Sequence, residues 1–296
     1  ERRFYWNSFK NAVAHVAGMW QYEHLAKYTK TGINSARIPV DTDEFNPDVK
    51  PIKRKKTKFT FFSPMRMERG KGTDLLWQAI KLCKTDFEIL GIDWFGETTE
   101  EERKFKKKLI DEIPSQVKLI PPIKRSEIAK YYTFADAVIA NLFIGTFELV
   151  GLESVMCGTP VIQYTDHKRK IVVDGKEIKS PFLPFSNDPK SIADVIDKVV
   201  ESKEFREKLF DNEYEFVNKI AEPVKCAEWW DGLFEDLTKK HKSIRKNSSP
   251  LRVKLRMISF LIANRLYSSK IKKLLLGSNY QKTGQTLYDN QPQNYS

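Results

Sequence analysis

Between residues 58 and 238 short apolar runs alternate with longer amphipathic stretches, and this alternation constrains the fold more than any other feature of the chain. The runs lie at 58–63 (KFTFFS), 87–90 (FEIL), 117–120 (VKLI), 137–140 (AVIA) and 160–163 (PVIQ). Helical spacing fills the gaps over 74–83, 101–113, 126–134 and 149–157, and three further helices are expected at 189–200, 203–220 and 223–238. Short strands joined through helices of about ten residues predict an α/β fold with a parallel sheet and helices on both faces. Ligands of such sheets bind beyond the carboxyl ends of the strands, so the turns after Ser63, Ala140 and Gln163 are where chemistry is expected.

The rest of the chain narrows the choice. Hydrophobic residues make up 41% of the 296, enough for an ordinary core and too many for a disordered chain. The net charge of +12 is local: residues 239–296 hold 13 Lys and Arg against the single acid Asp289, and residues 1–238 hold 38 of each sign. A neutral body removes the main support for a nucleic-acid partner, which is not expected. The longest apolar run, 257–263, is far short of the ~20 residues that span a bilayer. Three scattered cysteines, Cys83, Cys157 and Cys226, do not make a disulfide scaffold and fit a reducing, cytoplasmic compartment. Glu1 stands where an initiator Met would, so the start is expected to be a cut or processed end.

Residues 1–37 carry helix-forming, aromatic-rich sequence expected to stop at Gly32, followed by turn formers at 37–47 and a basic run, KPIKRKKTK, read as a solvated connector. The expected divisions are 1–47, 48–238 and 239–296. No histidine (His15, His24, His167, His241) sits in a catalytic pattern, and each is expected on the surface or in packing.

Two segments carry candidate chemistry. In SPMRMERGKGTDLL, residues 63–76, a strand ends in a loop bearing Arg66 and Lys71, and a helix starts near Thr73. Cations at a carboxyl edge can meet a diphosphate, and Gly70 and Gly72 allow close backbone approach, although a solvated basic loop fits those residues equally. The Gly-Lys-Ser/Thr signature of a P-loop is absent. In GTFELVGLESVMCGTPVI, residues 145–162, a loop runs into a helix beginning near Leu149, whose first N–H groups form a natural anion site. Glu153, one turn in, is placed to accept hydrogen bonds from sugar hydroxyls, or is an ordinary surface residue.

Taken in order, IPVDTDEFNP, the Arg-x4-Lys-Gly loop and Glu-Ser-x-x-Cys-Gly-Thr-Pro-Val-Ile resemble the C-terminal half of a GT-B glycosyltransferase of family 4, the retaining nucleotide-sugar enzymes. The likeness runs over about residues 33–237. It implies a Rossmann-like donor-binding domain of a metal-independent hexosyltransferase, using a UDP- or GDP-linked sugar as co-substrate and no other cofactor. On that resemblance Arg66 and Lys71 hold the donor diphosphate and stabilise the leaving nucleotide. Glu153 binds the ribose, the backbone amides of Phe147, Leu149 and Val150 face the phosphates and sugar, and the base lies near Pro122 and Ile123. Gly91 matches the glycine ending the second strand. Gly145 stands where the family has its first glutamate, and Glu148 where it has a small residue. Either Glu148 turns outward to take over sugar contacts, which we expect, or the site is altered. The resemblance further implies a glycan or lipid-linked acceptor, with residues 1–37 as the last helix of an acceptor domain lying outside the sequence. Alternatives are a non-catalytic nucleotide-sugar binding module or a basic membrane-surface adaptor.

In the tail, Leu251, Leu255, Ile258, Ile262 and Leu266 fall on one helical stripe flanked by Arg252, Lys254, Arg256 and Arg265. A basic helix of this kind over 251–276 can lie peripherally on the inner, anionic face of a membrane, or pack against another domain, or meet another polyanion.

Overall fold

Five parallel strands carry the fold, and all but Val117–Ile120 are buried on both faces. In the computed structural model the chain begins with β1 (His15–Ala17), α1 (Met19–Leu25) and β2 (Gly32–Asn34). It continues through β3 (Phe59–Ser63), α2 (Thr73–Ile80), β4 (Phe87–Ile92), α3 (Glu100–Asp111), β5 (Val117–Ile120), α4 (Ala129–Tyr132) and β6 (Ala137–Ile139). After these come α5 (Leu149–Met156), β7 (Val161–Ile162), β8 (Ile171–Val173), β9 (Lys176–Ile178), α6 (Pro189–Glu201), α7 (Lys203–Ile220) and α8 (Pro223–Lys240). The structure describes residues 12–96, 99–168, 170–182 and 187–241, with Leu255 and Ile258 beyond them. The chain divides into two units, Glu1–Lys240 and His241–Ser296.

The main sheet has the order β5-β4-β3-β6-β7, every pairing parallel. Successive residues of each strand point to opposite faces, so the sheet separates two apolar cores. Phe62, Leu90, Val138 and Val161 belong to one core with Tyr132, Leu152, Val155 and Val217 from α4, α5 and α7. Phe61, Ile89, Ile139 and Ile162 belong to the other with Trp77, Leu109 and Ile196 from α2, α3 and α6. Burial on both sides explains why the strands read as continuous apolar runs rather than alternating ones. Local chemistry fixes the helix starts. Thr99 and Glu102 form a reciprocal capping box on α3, Asp188 accepts from Ser191 N with Pro189 just inside α6, and Ser202 accepts from Phe205 N on α7.

The strand order places the switch point between β3 and β6. β3 is flanked by β4, reached through α2, and by β6, reached only after β4 and β5. The connections therefore leave β3 in opposite directions, and a crevice opens beyond Ser63 and Ile139.

Three expectations are corrected. Residues 12–37 do not form a helix running to Gly32. β1 and β2 pair in parallel across the seven-residue α1, because Val16 and Ile33 sit in register and the chain needs a crossover to bring them together. The helix expected at 126–134 is a 3-10 turn at Arg125–Glu127 followed by the four residues of α4. The basic connector is not merely solvated: Arg54, Lys56 and Lys58 pair with Glu88, Asp136 and Asp86 near the strand starts. Among the described residues no helix is long and apolar enough to cross a membrane. The tail stripe lies outside the described residues except for Leu255 and Ile258, both helical and exposed.

Candidate functional site

The loops leaving β3 and β6 are tied together at the crevice. After β3 the chain crosses toward β4, where Met67 N donates to Trp94 O at 2.7 Å, then turns through a 3-10 helix at Arg69–Lys71 into α2. Lys71 O accepts from Leu142 N at 3.1 Å, so the end of this loop lies against the one after β6. A cavity beneath is lined by Ser63, Met65, Gly72, Ala140 and Leu142 together with Lys71.

Lys71 reaches the mouth of α5. Its Nζ donates to Glu148 Oε1 at 2.6 Å, and Asn141 Nδ2 donates to the same oxygen at 2.9 Å. Asn141 is fully buried and locked, because its Oδ1 accepts from Phe143 N and Ile144 N at 2.8 and 2.9 Å. The Lys71 and Glu148 side chains are 22% and 23% exposed, which leaves the pair partly shielded from water. Glu148 has extended backbone geometry at the N-cap of α5, but its side chain makes no capping bond there. The N–H groups of Leu149 and Val150, in the first turn, have no intrahelical acceptor.

Arg66 is placed differently. It donates from Nε and Nη2 to both oxygens of Glu68, at 2.7 and 2.9 Å, and its guanidinium lies 5.9 Å from the centre of the Trp94 ring. The structure thus brings Lys71, Glu148 and the α5 start together, and holds Arg66 at the neighbouring β4 loop.

Glu153 is 1% exposed, on the inner face of α5. Arg125 Nη2 donates to its Oε1 at 2.6 Å, and the Tyr132 hydroxyl donates to its Oε2 at 3.2 Å. Burial pushes the Glu153 carboxyl above its ordinary range, while the bonds and charge of Arg125 and the Tyr132 bond oppose that rise. Arg125, 59% exposed, covers this carboxylate from outside and lies 4.5 Å over the buried Phe45 ring. Ile123 is half-buried against the same core, at the sheet edge formed by β5.

The structure overturns one expectation and adds the side-chain surroundings of the other candidates. Glu148 does not turn outward: it is drawn inward because the Lys71 ammonium and the Asn141 amide converge on it. Phe147 is a core residue, with its ring 5.5 Å from Phe216 and 6.3 Å from Phe182. Leu149 keeps its side chain exposed while Val150 packs partly on the core. At Gly145, φ is +76°, and an added Cβ would lie 3.0 Å from Tyr164 Cε1 and 3.2 Å from Asp166 Cβ. A side chain there is strained and crowded. Restoring the glutamate by Gly145→Glu is expected to cost about 1–3 kcal/mol, measured as a lower urea midpoint. An unchanged midpoint would show that the turn can adapt.

Sequence reasoning missed Asn141, Arg125, Tyr132 and Glu68. Glu68 carried a local signal, two residues from Arg66 in an extended loop. Asn141 could have been noticed as the polar residue two positions after β6, just before a turn. Arg125 and Glu153 are 28 residues apart, and nothing in either segment announces the other.

An open parallel sheet whose switch point lies beside a lysine-bearing loop and a helix start defines a Rossmann-like α/β domain. Residues 44–216 match the model for glycosyl transferases group 1, and the chain belongs to that family. It is similar to the D-inositol 3-phosphate glycosyltransferase of Frankia alni, 34% identical over 98 residues, which are 33% of this chain and 23% of that protein. The corresponding protein of Nocardioides sp. is 31% identical over 93 residues, 31% of this chain and 20% of that one. The matched stretch thus spans under a quarter of either relative. The fold is similar to sucrose-phosphate synthase from Thermosynechococcus elongatus, with TM-score 0.61, 17% identity, and coverage of 79% of this chain and 60% of that one. It also resembles HepE of Anabaena in complex with UDP and glucose, with TM-score 0.60, 15% identity, and coverage of 79% and 66%.

Proposed function

We propose that this chain supplies the donor-binding half of a retaining hexosyltransferase that moves a sugar from a UDP- or GDP-linked donor to a glycan or lipid-linked acceptor. The observation that carries the reading is Lys71 at the open start of α5. Breaking the bond between sugar and phosphate leaves a diphosphate of growing negative charge. A fixed ammonium and backbone N–H groups aimed at that charge lower the barrier. In this reading Lys71 and the Leu149 and Val150 amides hold the diphosphate, assisted by Arg66 once it exchanges Glu68 for phosphate. No other cofactor is assigned to the step, and charge stabilisation falls to these groups rather than to a metal ion. Glu153 is assigned the ribose hydroxyls on its Oε1, which half-exposed Arg125 now covers, while Oε2 stays with the buried Tyr132 hydroxyl. The base lies along Pro122 and Ile123, and Phe147 contributes only its backbone.

The relatives' names support glycosyl transfer, and the HepE complex makes UDP the first probe. Calorimetric titration with UDP and GDP tests the reading. One of them is expected to bind at a single site, and Arg66→Ala to weaken it about tenfold, the value of one charge-assisted hydrogen bond. Absence of binding by both nucleotides, in wild type and in Glu148→Gln alike, would overturn it.

A second reading, a nucleotide-sugar binder without turnover, is favoured by Gly145 in place of the family's first glutamate. Hydrolysis of the donor sugar separates the two. For the tail we keep the expectation of an anionic membrane surface at the cytoplasmic face, supported by 13 bases against one acid.

A further inference from the structure

Two cations of the loop after β3 already hold carboxylates, Arg66 that of Glu68 and Lys71 that of Glu148. The second pair is the more telling. Glu148 stands where it could cap its own helix, yet its carboxylate is turned away to Lys71 and Asn141. The anion site is therefore split. Its backbone half, the Leu149 and Val150 N–H groups, has no intrahelical acceptor, and its lysine half is filled by an internal anion.

Resting on the donor-site reading above, we propose that Glu148 is a specificity-determining residue that selects among phosphate ligands by charge, favouring the intact donor over the nucleoside diphosphate product. A ligand phosphate can engage the α5 amides at once, but reaches Lys71 only by displacing Glu148. Until the carboxylate moves, it repels the incoming charge across a partly shielded space, where Coulomb interactions exceed their value in bulk water. That penalty scales with ligand charge. An intact nucleotide sugar is a diphosphate diester with two charges. The free diphosphate has a terminal phosphate whose last proton leaves at a pKa of about 6, so it carries about three charges at pH 8. Glu148 therefore disfavours the product more than the donor, which assists product release. A small residue in its place, as the family resemblance implies, would hold both more tightly.

The test is binding of UDP, UDP-glucose and uridine, or the guanosine set if GDP is the nucleotide bound, at pH 8 to wild type, Glu148→Gln and Glu148→Gly. Gln keeps an acceptor for Lys71 and Asn141 while removing the charge, so folding is preserved. UDP is expected to tighten about tenfold or more in both variants, UDP-glucose by less, and uridine not at all. A variant that binds UDP where wild type binds none gives the same support. If wild type binds UDP and the variants bind it equally or more weakly, or if uridine or UDP-glucose gains as much as UDP, charge selection by Glu148 is wrong and the donor-site reading stands. If no protein binds either nucleotide, both fall.

Discussion

Replacing Lys71 by alanine is expected to weaken nucleoside diphosphate binding by about 30- to 100-fold, more than any other single change in the loop after β3. The direct loss is a charge-assisted hydrogen bond to phosphate, about 1.5–3 kcal/mol. The indirect loss follows from the geometry. With Lys71 gone, the Glu148 carboxylate retains only the Asn141 amide. It is then free to swing onto the first-turn N–H groups of its own helix, the ordinary place for an N-cap side chain. Both halves of the anion site would then be closed. Lys71→Arg keeps the charge and is expected to retain most of the affinity. Titration of both variants with UDP and GDP checks this, and a loss under threefold in Lys71→Ala would detach the lysine from the ligand.

The second large effect concerns stability. Arg125→Met is expected to destabilise the protein by about 2–4 kcal/mol at pH 8 and far less at pH 5. Removing one partner of a buried pair typically costs about 3–5 kcal/mol. The lower figure applies because Arg125 is 59% exposed and solvent screens part of its charge. The sign follows from Glu153. Burial already raises its carboxyl, and Glu44 pushes it the same way, while Arg125 and Tyr132 pull it down. Without Arg125 the folded-state value rises further above the ~4.3 of an unfolded glutamate. A group raised on folding favours the folded state at low pH, where it is protonated in both states. That favour is lost as pH climbs through the folded value. The variant should therefore fall away from wild type as pH increases, with Arg125→Lys between them. Urea unfolding at pH 5 and 8 measures it, and parallel profiles for wild type and variant would contradict the assignment.

The sheet was legible because its inner strands are buried on both faces and so leave short apolar runs with helices between them. Residues 203–220 emerge as α7 with unchanged bounds, and 117–120 as β5. The elements that escaped lack that signature. The β8–β9 hairpin has an exposed, charged second strand, Lys176 and Glu177, and its one clear signal was the turn Asp174-Gly175, both with positive φ. β1 and β2 have three residues each, too few for a period to show beside aromatic neighbours. At the site, sequence located Lys71 and the α5 start, because a strand-to-helix loop at a carboxyl edge is a local pattern. It could not supply the partners. Lys71 meets Glu148 from 77 residues away and Glu153 meets Arg125 from 28, contacts that only the strand order creates.

The central claim is that a nucleotide's diphosphate sits between Lys71 and the start of α5. A crystal structure of the chain with UDP or GDP bound tests it most directly. The account predicts phosphate oxygens within hydrogen-bond distance of Lys71 Nζ and of the Leu149 or Val150 N–H, with Glu148 withdrawn from the lysine. A nucleotide held elsewhere on the molecule, with the Lys71–Glu148 pair intact, would contradict it.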